Sequence, residues 1–146
     1  MVKRIILILL CIVNLSLITM LSTQNAEKSN KLSKNVTQKI ISPMYSEENI
    51  EENMLKSNGA IRNTAHFILF LTLGVILCFT FKGFNIKHSF LYPFIICIIY
   101  ALFDEIYQEL LHQGRAFEFV DLLKDWSGSA VGVLAVYFIH RLRYRT

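Results

Sequence analysis

The stretch FLYPFIICIIYALFDEIYQEL, residues 90–110, decides the fold of this chain. Its first two thirds are apolar, and its end carries Asp104, Glu105, Gln108 and Glu109. A mostly apolar run of about 20 residues is the length that a helix needs to cross a hydrocarbon core of roughly 30 Å. Ionisable groups inside such a helix are costly and indicate a functional site by default. The stretch therefore predicts a transmembrane helix with a polar site at its carboxyl end.

Three further apolar blocks lie at residues 5–22, 65–81 and 126–140, in a chain of 146 residues that is 53% hydrophobic. The last block is short, and we expect Trp126 and Tyr137 to anchor it at the membrane interfaces. Residues 117–124 predict a short helix at the interface, with Asp121 between apolar positions. We predict one all-α domain over residues 1–146, an integral membrane bundle of four transmembrane helices with a short interfacial helix between the third and fourth.

The first block also has features of a secretory signal, since Lys3 and Arg4 precede an apolar run. The run continues past Asn14 to Leu21, however, without a cleavage site of small residues. We expect it to be retained as the first transmembrane helix.

Charge distinguishes the two ends of the predicted helices. All eleven carboxylates fall on one side of the inferred membrane. The amino terminus, the loop after the second block and the carboxyl tail carry basic residues only, namely Lys3, Arg4, Lys82, Lys87, Arg141, Arg143 and Arg145. Basic residues near helix ends favour the cytoplasmic side. We therefore predict a multi-pass protein of the cytoplasmic membrane, with both termini in the cytoplasm and the acids at the outer face.

The net charge of +4 does not indicate a nucleic-acid partner, because the basic residues flank apolar blocks and do not form a soluble basic face. The lipid bilayer is the partner that the composition predicts. The cysteines, Cys11, Cys78 and Cys97, each lie in an apolar block, so we interpret them as packing residues and not as a disulfide or zinc site.

Residues 23–64 form the predicted outer loop, which is polar. Ile50 and Met54 repeat at helical spacing, so residues 47–55 suit an amphipathic helix on the outer leaflet, although a solvated charged face is the plainer interpretation. In the fourth block, Gly128 and Gly132 form a small-residue face that permits close helix contact.

The candidate site lies at the outer ends of the predicted helices. On the third helix, Asp104 stacks with Gln108 and Glu105 stacks with Glu109, so two polar stripes result, of which only one needs to face the bundle. His66 lies one turn into the second helix, on the same face as Arg62. The prediction places these groups in one leaflet.

The segment after the third helix adds further candidates. Arg115 follows Gly114 and is the expected counter-charge, because a guanidinium clamps a carboxylate or phosphate with two hydrogen bonds. Asp121 and Asp125 share a helix face, and Asp125 is placed to cap the fourth helix. A purely structural ion-pair cap of Asp104, Glu105, Arg115 and Asp121 is the alternative to a ligand-binding or catalytic site.

These residues resemble the VanZ-like family of bacterial membrane proteins. The resemblance covers nearly the whole chain in order and leaves out only the loop. It is carried by Ser22-Thr23-Gln24, Arg62-x-x-Ala65-His66-Phe67, Asp104-Glu105-x-x-Gln108, Gly114-Arg115, Asp121-x-x-x-Asp125 and Gly128-x-x-x-Gly132. The family's namesake lowers susceptibility to the glycopeptide antibiotic teicoplanin, so the resemblance implies antibiotic resistance through the cell envelope.

Three functions remain open at this point. The first is a VanZ-like protein acting on envelope material through a ligand site of Arg62, His66, Asp104, Glu105, Gln108, Arg115, Asp121 and Asp125. The second is an intramembrane hydrolase or transferase acting on a lipid-linked or phosphorylated cell-wall precursor, with catalytic candidates His66, Asp104, Glu105 and Asp121. The third is a binding or assembly module in which the Gly128/Gly132 face docks a partner span and the outer loop recruits another envelope protein. The sequence leaves the cofactor unknown: His66 and carboxylates could hold a divalent metal, but no tight metal-binding signature is present.

Overall fold

The computed structural model describes residues 1–23, 50–111 and 117–143, with side chains placed for residues 1–23, 63–110 and 117–143. Within these ranges the chain forms helices and no strand. The helices are α1 (Val2–Ser22), α2 (Ile50–Gly83), α3 (Leu91–Leu111) and α4 (Phe119–Arg143). Each contains a stretch that is long and apolar enough to cross a membrane. The prediction of an all-α chain with four candidate spans is confirmed.

Helices that follow one another in the chain run in opposite directions, so α1 and α3 run one way and α2 and α4 run the other. At one end of the bundle, Nε of Arg4 donates a 2.9 Å hydrogen bond to the carbonyl oxygen of Gly83, which joins the start of α1 to the end of α2. At the other end, the hydroxyl of Ser22 bonds to Asp104 and joins the end of α1 to the end of α3. We call the end with Arg4 and Gly83 the basic end and the end with Ser22 and Asp104 the polar end.

Helices α2 and α4 pack backbone to backbone. A Cβ atom added to Gly128 would collide with the carbonyl oxygen of Phe67, and one added to Gly132 would collide with that of Leu71. Small residues allow this approach in membrane bundles, which confirms the predicted small-residue face. That face is covered by α2 of the same chain, so the hypothesis that it docks the span of another protein is wrong.

Helix α4 begins earlier than predicted. It starts at Phe119 and continues without a break to Arg143, so residues 119–124 of the predicted interfacial helix are its first turns. Asp121 lies in the first turn, where the helix dipole favours an acid, and no proline or glycine interrupts the chain before Gly128. Asp125 is therefore not a cap. It lies inside the helix and is buried.

Helix α2 also extends beyond its predicted span. Its backbone is helical from Ile50, so the last part of the predicted outer loop is helical. The side chains of residues 47–55 lie outside the described ones, so the choice between an amphipathic helix on the outer leaflet and a solvated charged face stays a prediction.

The interior and exterior of the bundle are both apolar. Phe70, Leu73 and Ile18 form part of a buried core, and all three cysteines are buried with free thiols, as predicted for packing residues. Large apolar side chains such as Ile99 and Phe138 are exposed on the outside of the helices. Contact with lipid accounts for this pattern, because the hydrocarbon core is as apolar as these side chains.

Candidate functional site

The carboxylate of Asp104 is held by two hydrogen bonds at the polar end. Its Oδ2 accepts a 2.6 Å hydrogen bond from the hydroxyl of Ser22 and a 2.9 Å bond from Nε2 of Gln108. All three side chains are buried. Asp104 lies near the carboxyl end of α3, where the helix dipole disfavours negative charge. The two donors offset that cost, and the bond within α3 confirms that Asp104 and Gln108 share a face.

The structure pairs His66 of α2 with Asp125 of α4. Nδ1 of the imidazole lies 3.6 Å from Oδ1 of the carboxylate, an ion-pair distance if the histidine is protonated. This separation is just beyond hydrogen-bond length. The side chain of Asp125 is buried, and its Oδ1 has no hydrogen-bond partner among the described residues. An oxygen left in this state is costly unless a ligand or a small movement of the imidazole satisfies it.

Glu105 also turns inward. Its Oε1 accepts a 2.8 Å hydrogen bond from the backbone N–H of Glu118, which ties α3 to the residue just before α4. The side chain is buried, and the negative charges of Asp121, Asp125 and Asp104 repel it when it is ionised. Glu109, which stacks with Glu105 on the helix, is exposed. The inner surface of α3 is thus wider than one stripe and includes Asp104, Glu105 and Gln108.

Asp121 lies at the rim of the site. Its Oδ1 accepts a 2.5 Å charge-assisted hydrogen bond from Nζ of Lys124, one turn further along α4. Lys124 was not predicted as a counter-charge. The predicted one, Arg115, lies outside the described residues, as does the side chain of Arg62, whose backbone belongs to α2. Asp121 and Asp125 also interact electrostatically, as expected for two acids on one helix face.

We call the buried and half-buried side chains at this end the polar cluster, and all four helices contribute to it. Its members are Ser22, His66, Asp104, Glu105, Gln108 and Asp125. Within the described side chains, the histidine, cysteine and acidic residues include no group of three or more that could hold a metal ion.

The sequence prediction missed some polar contacts of α1. Ser22 was noted only as part of a family motif, yet it is completely buried against Asp104. Deeper in the bundle, Nδ2 of Asn14 donates a 2.8 Å hydrogen bond to the hydroxyl of Thr72. An amide inside an otherwise apolar span was the available signal, because such groups usually face another helix.

The geometry suits binding or acid–base chemistry on a polar group near the membrane surface. A buried carboxylate can accept hydrogen bonds from the hydroxyl or amine groups of a ligand. Among the described side chains, Asp104 accepts two such bonds, whereas Oδ1 of Asp125 accepts none. An imidazole beside a carboxylate is an arrangement used to move protons. The fold and site together define a class of small helical membrane protein with a polar cluster at one end of the bundle.

Comparison with known families identifies this class more closely. The family model described as VanZ/LLP1 matches residues 6–140, nearly the whole chain. The chain belongs to the VanZ/LLP1 family, as the sequence resemblance predicted, and is a multi-pass membrane protein. No curated protein and no solved structure matches the chain significantly.

Proposed function

We propose that this protein acts at the outer face of the cytoplasmic membrane, where the polar cluster binds the polar part of a cell-envelope precursor, and that it lowers susceptibility to teicoplanin. The observation that carries this proposal is that polar side chains from all four helices are buried or, for His66 of α2, half-buried at one end of the bundle. Burying such groups in a membrane protein is expensive, and they usually mark a site of function.

The charge of the two ends supports the proposed orientation. Arg4, Lys82 and Arg143 lie at the basic end together with Met1, while Asp104 and Asp125 lie at the opposite end. The positive-inside rule favours a cytoplasmic basic end. The polar cluster then faces the outside, where envelope precursors are assembled into the wall.

A surface groove supports a lipid-linked ligand in particular. A shallow, open groove of about 550 Å³ lies on the surface of α1 and is lined by residues from Ile12 to Thr23. Near its polar end, the hydroxyls of Thr19 and Tyr100 lie 2.8 Å apart. A lipid tail along the apolar part of this groove would bring its head group to the polar cluster.

A purely structural role for the acids is the competing interpretation. It explains Asp104, whose Oδ2 accepts two hydrogen bonds, and Asp121, which pairs with Lys124. It explains Asp125 less well, because the 3.6 Å pairing with His66 leaves the buried Oδ1 without a hydrogen-bond partner among the described residues. Buried charges do not stabilise a fold by themselves. Asp125 is therefore the residue whose neutralisation separates the two interpretations.

The test is teicoplanin susceptibility in bacteria that produce the wild type, Asp125→Asn or Glu109→Gln at equal levels in the membrane. Glu109→Gln is the matched control, since it removes one charge from an exposed position on α3. We expect the wild type and Glu109→Gln to raise the inhibitory concentration and Asp125→Asn to lose the effect. Unchanged susceptibility with all three proteins would count against the proposal.

The His66–Asp125 pair favours a second candidate, a hydrolase or transferase acting on a lipid-linked or phosphorylated precursor. In that reaction His66 takes a proton from the attacking water or hydroxyl group and returns it to the departing oxygen, while Asp125 stabilises the imidazolium. The 3.6 Å separation suits this role after a small rotation of the imidazole. Incubation of purified protein with labelled lipid-linked precursors tests it, and absence of turnover with any divalent ion would exclude it.

A further inference from the structure

The basic end contains a cavity that the proposed function does not use. It has a volume of about 510 Å³ and lies between α1, α2 and α4. Its wall combines two kinds of side chain. Leu7, Phe79 and Val136 are among its apolar residues, and Lys3, Arg4, Lys82 and Arg143 are its basic ones. An apolar wall with several basic groups is the chemistry that suits an anionic amphiphile.

Two of the basic side chains are positioned by contacts with the protein. Nε of Arg4 donates to the carbonyl oxygen of Gly83, and its guanidinium carbon lies 5.1 Å from the centre of the Phe84 ring. Nζ of Lys82 lies 4.8 Å from the centre of the Phe90 ring. The bond to Gly83 uses one of the five N–H donors of Arg4. A guanidinium held in this way is suited to clamp a phosphate with two hydrogen bonds.

No carboxylate of the described residues compensates this charge. The acids of α3 and α4, from Asp104 to Asp125, lie toward the opposite end of the bundle, and α1 has no acid. The positive-inside rule accounts for basic residues at this end, but it does not require them to surround an apolar cavity between helices.

We propose that this cavity binds the phosphate head group and the first acyl carbons of an anionic phospholipid of the surrounding leaflet. Basic cavities between transmembrane helices are suited to anionic lipid head groups. Arg4 and Lys82 contact the phosphate, Lys3 and Arg143 add charge at the rim, and the acyl chains lie against Leu7 and Val136.

The experiment measures binding of short-chain phosphatidylglycerol to the purified full-length protein in neutral detergent. The cavity variant is Arg4→Gln with Lys82→Gln. The matched control is Lys87→Gln with Arg141→Gln, which removes two exposed charges that do not line the cavity. We expect the affinity to fall about tenfold or more in the cavity variant and to change little in the control. Short-chain phosphatidylcholine should bind the wild type weakly.

If the cavity variant and the control variant lose the same amount of affinity for phosphatidylglycerol, the proposal is overturned, because the effect would then come from general surface charge. Inorganic phosphate that competes at the same concentration as the lipid would also overturn it, since the apolar wall would then contribute nothing. If Arg4→Gln with Lys82→Gln does not fold, Lys3→Gln with Arg143→Gln removes two charges from the same cavity and gives the same test. Binding that this variant does not weaken contradicts the assignment.

Discussion

The hydroxyl of Ser22 donates a 2.6 Å hydrogen bond to Oδ2 of Asp104, two residues that lie 82 positions apart in the chain. The bond joins the last residue of α1 to the acid that Gln108 also contacts. A short O–H···O bond to a carboxylate is stronger than one between neutral groups. It therefore connects the polar cluster to the first helix, and α1 belongs to the site.

We expect Ser22→Ala to lower the free energy of unfolding by about 1 kcal/mol, because Asp104 loses a buried donor while Gln108 keeps the second bond. The control is Ser127→Ala, whose hydroxyl bonds to the carbonyl oxygen of Lys124 at an exposed position. Thermal unfolding in detergent measures both. A loss from Ser22→Ala no larger than that from Ser127→Ala would show that the bond does not contribute.

Gly132 gives a test of the α2–α4 contact. We expect Gly132→Ala to destabilise the bundle by about 1–3 kcal/mol, since the added Cβ must push the backbone of Leu71 away. Gly83→Ala is the control, because its Cβ would meet Leu7 at an ordinary 3.4 Å. The same unfolding measurement applies. Equal stability of the two variants would mean that the helices are less closely packed than described.

The orientation gives a third prediction. Glu118 and Arg141 are exposed near opposite ends of α4, and the native cysteines are buried. In intact cells, a membrane-impermeant maleimide should label Glu118→Cys, whereas Arg141→Cys should require permeabilised cells. The unmodified protein is the control for background labelling. The reverse pattern would place the polar cluster in the cytoplasm and remove the basis for action on the outer envelope.

Much of the fold follows from the sequence because membrane spans depend on length and apolarity alone. The shared face of Asp104 and Gln108 and the glycine face of α4 were predicted correctly, since helical spacing decides which side chains share a face. The start of α4 was predicted incorrectly. Residues 117–124 have a pattern of apolar and charged residues that fits both a short interfacial helix and the first turns of a transmembrane helix. The sequence pattern also could not predict which side chains of different helices contact each other.

The pairing of His66 with Asp125 shows this most clearly. Both residues were candidates, but Asp125 was interpreted as a cap because α4 was expected to begin after it. Once α4 starts at Phe119, Asp125 lies within the helix and beside α2. A shift of about two turns at a helix start thus changed the role of one residue. Sequence spacing alone does not contain that information, since helix boundaries depend on packing.

The most direct test of the central claim is binding of a fluorescent lipid-linked cell-wall precursor to the purified protein in nanodiscs. The wild type and Glu109→Gln should bind it saturably, and Asp125→Asn should bind at least about tenfold more weakly, because a buried carboxylate that accepts a ligand hydrogen bond has been neutralised. Matched thermal stability of the three proteins shows that folding is unchanged. Equal binding by the wild type and Asp125→Asn would contradict the assignment of the polar cluster as the functional site.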